Sequence, residues 1–157
     1  MGDDQTTRPM ANLVTAAREG NVAVQMTAED FVYIDRDCDY FKRTIRRIQM
    51  IMDEVSRQPS WGLGETDQKL VSGSTLVNRF KDKARGADDN NSVYAILDDH
   101  YRIVEDIQEV HRIARDRMMQ ADSNFAAEFE RLNTTLPERS PVQRPAGPVS
   151  LPDGTGR

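Results

Sequence analysis

The chain has 157 residues, 38% of them apolar and 30% charged, with a net charge of −5 and a mean hydropathy of −0.68. That length supports one domain with one core, and few aromatics among many charges fit helices with solvated outer faces better than a sheet. The acidic balance argues against general nucleic-acid binding, which needs a basic footprint. Lys42, Arg43, Arg46 and Arg47 are a local exception, read as the solvated face of a helix or, alternatively, as a contact for phosphate or lipid headgroups. Cys38 is the single cysteine, so no intrachain disulfide forms. No apolar run approaches the roughly 20 residues that cross a bilayer, and MGDDQTTRPM lacks the apolar stretch of a signal peptide. Synthesis in the cytoplasm follows, with no membrane span.

In chain order, residues 1–26 are small, polar and weakly patterned: a flexible N-terminal segment in which MANLVTAAREG is able to make a short helix ending at Gly20. A helical bundle over 27–133 comes next. Its first helix opens at TAED, where Thr27 caps and Asp30 completes a capping-box variant. Phe31, Ile34, Cys38, Phe41, Ile45, Ile48, Met52 and Val55 then recur at alternating spacings of three and four, a heptad seam. Such a seam needs a cover, so Phe31, Ile34, Phe41, Ile45, Ile48 and Met52 are candidate oligomer contacts. Acidic residues come early and basic ones late, as the helix dipole favours.

Pro59 ends that helix, and Gly62 and Gly64 allow a sharp reversal. The second helix is expected from about Thr66 to Arg85, with Leu70, Val77, Phe80 and Ala84 on one face. Its Ser72-Gly73-Ser74 run permits close backbone approach, and Gly86 can end it. Asn91 or Ser92 caps a third helix, expected as one rod from about Val93 to Leu132, because Ile96, Ile103, Val110, Met118, Phe125 and Leu132 keep the helical period. At roughly 60 Å it outruns the second helix, so part of its seam must meet the first helix, the N-terminal segment or another molecule. Residues 134–157 repeat Pro and Gly among polar residues and read as a disordered tail. The fold class is all-α: an antiparallel helical hairpin or three-helix bundle with a long C-terminal helix and disordered ends.

Catalytic and metal chemistry find little support. His100 and His111 share a helix but stand about 16 Å apart without a second ligand four residues on, so each reads as hydrogen-bonded or solvated. DDNNSVYAILDD has oxygen ligands at alternate positions, but Val93 sits where a calcium loop needs glycine, and a helix-capping loop is the better reading. With no phosphate loop, nucleophile elbow or Cys/His pair, neither enzyme activity nor a cofactor is expected.

The remaining pointers are Trp61, in the turn SRQPSWGLGETDQ, and the pair Tyr101 and Glu105, four apart on one helical face. A Trp at a hairpin tip can anchor a partner or pack over its own helices. A Trp-Gly turn between helices, a Tyr-x-x-x-Glu pair and no signal peptide together resemble the WxG family of small helical-hairpin proteins handled by type VII (ESX) secretion. The likeness spans about residues 27–133, with Leu63 standing where that family's glycine falls. It implies a homo- or heterodimeric bundle exported folded, without a cleaved signal, with Trp61, Gly62 and Gly64 as the docking turn and Tyr101 and Glu105 as the secretion signal read by the secretion ATPase. The competing reading is a cytoplasmic coiled-coil adaptor or chaperone whose seams bind a partner helix.

Overall fold

The computed structural model describes residues 8–139 and is all-α, with no strand among them. It contains α1 (Ala11–Glu19), α2 (Ala28–Arg57), α3 (Val71–Ala84), α4 (Val93–Ala121) and α5 (Ser123–Thr135). The flexible start expected over 1–7 and the disordered tail expected from 140 onward lie outside the described residues, whereas Thr134 and Thr135, expected in that tail, continue α5, and Leu136 packs on the core. α2 starts where the sequence marks it: Thr27 Oγ1 accepts from the Asp30 N–H at 3.2 Å, and the Asp30 carboxylate accepts from the Thr27 N–H at 2.9 Å. The hydrogen bond from the Thr27 backbone holds that carboxyl below its ordinary range.

Two boundaries differ from expectation. The rod expected over 93–132 is divided, because Asp122 is extended (φ −137°, ψ 110°) and its side chain accepts from the N–H groups of Asn124 and Phe125 at 2.8 and 3.2 Å. An Asp that competes for backbone donors starts a new helix instead of continuing the old one, while the apolar period runs on through the break. α3 starts at Val71 instead of Thr66, since the preceding residues are used in a chain of turns, Asp67 N–H to Gly64 O, Leu70 N–H to Asp67 O and Gly73 N–H to Leu70 O.

Pairing follows from which residues meet. Asp35 bonds Arg112, Asp39 bonds Gln108, Arg46 bonds Asp98, and the Gln49 amide donates to the Tyr94 carbonyl, so α2 and α4 run antiparallel. α5 returns along the first turns of α2: Phe125 packs edge-on to Phe31, and the carbonyls of Asn133, Leu136 and Pro137 accept from the Arg36 guanidinium. α1 lies alongside α4 in parallel, with Val14 and Ala17 on Val110 and Ile113. Its N-terminal end is pinned by the fully buried Asp106, which accepts from Arg8 Nε at 2.5 Å and the Met10 N–H at 3.0 Å. The stretch expected to be flexible is thus docked from Arg8 to Glu19.

The larger apolar cluster sits at one end, with a smaller one between α1 and α4 and single buried residues, Ile45, Val77 and Ala84, toward the other. Phe31 and Val32 of α2 pack with Phe129 and Leu132 of α5, flanked by Met118 and Met119, and each such side chain contributes roughly 1.5–3 kcal/mol by leaving water. Toward the middle, the α2/α4 contact is polar. Buried Gln108 accepts from Lys42 Nζ at 2.7 Å and donates to Asp35 and Asp39 at 3.0 Å each, and buried Gln49 links Arg46 to Tyr94. Satisfied polar groups of this kind fix the register of two helices while contributing little net stability. At the other end apolar residues stay uncovered: of twelve large hydrophobic side chains exposed among the described residues, eleven lie between Tyr40 and Ile96.

Candidate functional site

Residues 58–70 join α2 to α3 and carry the only tryptophan. Gly62 and Gly64 take positive φ of 69° and 78°, a conformation costly for other residues, and this is the reversal the sequence announces. Three successive N–H groups, of Trp61, Gly62 and Leu63, converge on the Glu65 carboxylate at 2.5, 3.2 and 2.8 Å. They form an anion nest filled by the chain's own side chain. The hydrogen bond from the Trp61 backbone, seconded by its neighbours, brings the Glu65 carboxyl down to about 2.

The Trp61 ring folds onto its own hairpin. It stacks on Phe80 with centroids 5.7 Å apart and planes 20° from parallel, and its Nε1 is buried without a hydrogen-bond partner among the described residues. Gly73 lets this happen: a Cβ there would stand 2.5 Å from the Leu63 carbonyl oxygen and 3.0 Å from the Gly64 carbonyl carbon. The Ser72-Gly73-Ser74 run thus serves the close approach read from its small residues. Phe80, at 45% exposure, and Leu63, at 44%, carry the apolar surface outward from the stack.

Tyr101 lies elsewhere. Its half-buried ring sits 3.9 Å under the Arg46 guanidinium, in the middle of α2, while Glu105 is exposed. Arg46 also reaches Gln49 and Asp98. Trp61 and Tyr101 share no partner: one meets Phe80 and the other Arg46, and Arg46 precedes the end of α2 at Arg57 by roughly 16 Å of helix. The Trp-bearing turn and the Tyr101 ring thus contact different residues of the chain.

The candidate seam divides by depth. Phe31 and Ile45 are buried, Ile34, Ile48 and Met52 half-buried, and Phe41 exposed at 42%. Cys38 is buried between the helices, and burial first, then nearby Asp35, pushes its thiol up to about 11, an inert state for a nucleophile. His100 and His111 place Nδ1 at 2.8 and 2.7 Å from the Ile96 and Ile107 carbonyls, one turn back on their own helix. Ser92 caps α4 by accepting from the Ala95 N–H. Among the described residues no cluster of His, Cys, Asp or Glu is arranged to hold a metal, and no helix is long and apolar enough to cross a membrane.

Sequence reading passed over two participants. Glu65 was visible only as an acid after a glycine pair, with nothing in its spacing to reveal a nest. Arg46 stands in sequence among basic neighbours that read as a solvated face, and only its three-residue relation to Gln49, which is buried against Tyr94, points it toward α4. No protein-family model, curated protein or solved structure matches the chain.

Proposed function

We propose that this protein works by helix-to-helix contact with another polypeptide, as a WxG-like substrate or partner protein of type VII secretion. The observation that carries the first half is the distribution of uncovered apolar side chains. Eleven large hydrophobic residues stand exposed between Tyr40 and Ile96, while the opposite end holds the clustered core. Scattered apolar residues are ordinary on a surface; their concentration in one stretch supports an interface there. A partner that covers Phe41, Ile51 and Phe80 removes from water what the chain leaves in it, whether the partner is a second copy or a different protein.

The export half rests on the Trp-bearing turn between helices and on Tyr101 and Glu105 sharing one face of α4. A cytoplasmic adaptor is the second reading, favoured by the Arg46 guanidinium that covers the Tyr101 ring and engages it within the chain. Tyr101→Ala and Glu105→Ala separate the two. Export predicts loss of the protein from culture filtrate with normal amounts of folded protein in the cell. An unchanged location for both variants removes the export role and leaves the adaptor.

A further inference from the structure

Three adjoining grooves run along α2: one of about 600 Å³ between it and Glu138 and Arg139, after α5, and two of about 510 and 230 Å³ where it meets Tyr101 and Tyr94 of α4. The first two share Asp39 and Arg43, and the last two share Arg46 and Met50, so they form one trough. It follows α2 from Arg36 to Asp53, eighteen residues and roughly 26 Å. Arg36, Asp39, Arg43, Arg46, Met50 and Asp53 recur there at alternating spacings of three and four, the face a neighbouring helix would contact. Seven Lys and Arg line the trough against three carboxylates, on a chain whose net charge is −5.

Most of these charges are already engaged. Arg36 serves the α5 carbonyls, Lys42 bonds Gln108 and Asp39, Arg46 bonds Asp98, and Arg85 pairs with Asp53. Arg43 and Arg47 differ: among the described residues neither has a carboxylate within ion-pair distance. They stand four apart, so their like charges repel across one turn until an anion comes between them. Beside them Met50, at 65% exposure, supplies an apolar contact.

We infer that this trough is the seat of an acidic, amphipathic helix from a different protein, about five turns long, laid along α2 with carboxylates over Arg43 and Arg47 and an apolar residue on Met50. This names the partner's chemistry and rests on the helix-docking reading above. A second copy of this chain fits poorly. A two-fold contact sets the basic trough against itself, and like charges face to face weaken an interface. The acidic residues early in α2 are also spent, Asp35 on Arg112, Asp39 on Gln108 and Asp37 facing Arg139. Single-stranded nucleic acid needs a row of free aromatic faces for base stacking, whereas guanidinium groups cover Tyr101 and Tyr94, at 3.9 and 4.4 Å, and leave Tyr40 as the one exposed ring among the residues that line the trough.

The test titrates the full chain against a labelled five-turn Glu/Leu heptad peptide, its Lys/Leu counterpart and an oligo-dT strand, at about 50 and about 500 mM salt. The Glu/Leu peptide is expected to bind, to weaken at least tenfold at the higher salt, and to weaken at least tenfold on Arg43→Glu/Arg47→Glu, with far-UV circular dichroism unchanged. No binding of the Glu/Leu peptide, or tighter binding of oligo-dT, overturns the assignment. Peptide binding unaffected by the double variant but abolished by Phe80→Asp overturns the trough while leaving helix docking intact at the α3 end.

Discussion

Trp61 and Glu65 show how a turn can be rigid and unfinished together. The carboxylate closes the turn by taking three N–H groups, yet the indole Nε1 it positions is buried without a partner, which costs about 1–3 kcal/mol. Trp61→Phe keeps the stack on Phe80 and removes the orphan donor, so thermal unfolding should shift little or upward, whereas Trp61→Ala should lower stability by about 2–4 kcal/mol. The nest also predicts an acid response. Because the folded carboxyl lies at about 2, below its ordinary 4.5, its contribution is complete above pH 4.5 and is lost as pH falls toward 2. As the chain has a single Trp, its fluorescence reports the loop: the folded-state emission should hold constant down to about pH 3 and shift as pH passes through about 2, where Glu65 takes its proton, and Glu65→Gln should show the acid-type spectrum already at neutral pH.

Between elements, the contact of the Trp loop with α3 depends on one missing side chain. Gly73→Ala places a Cβ against the Leu63 carbonyl and the Gly64 backbone, which have no flexible end to yield. The loop should lift from α3, with a loss of about 1–3 kcal/mol and increased amide exchange over 60–70, while exchange in α5 stays unchanged. Helix starts with a side-chain cap were legible in the sequence: Thr27 with Asp30 and Ser92 stand where their residue types put them. The break at Asp122 was hidden because Met118, Phe125, Phe129 and Leu132 keep one apolar period across it, and periodicity records burial, not backbone continuity. The start of α3 was misplaced for a related reason, since a carboxylate nest leaves no repeating pattern. Docking of α1 depends on Asp106, whose burial against Arg8 and Met10 links residues nearly a hundred apart. Local pattern carries no trace of such a contact.

Over the whole molecule, charge and apolar exposure are polarised together. Residues 40–85 contain ten Lys and Arg against five Asp and Glu on a chain that is acidic overall, and the uncovered hydrophobic side chains fall mostly in the same stretch. The heptad seam read from the sequence is real as a pattern and is covered unevenly within the chain: Phe31 is buried against α5, Cys38 and Ile45 are buried further along, and Phe41 stays exposed, while Gln49, Gln108 and Asp39 add polar bonds between α2 and α4. The end left open is the one available to another polypeptide. Site-specific photocrosslinking in the source cells tests this most directly, with the reactive group at Ile51 or Phe80 and a control at the exposed Glu130 of α5. The account predicts a discrete protein adduct from Ile51 and Phe80 and none from Glu130; adducts equal at all three positions, or absent from the first two, would contradict it.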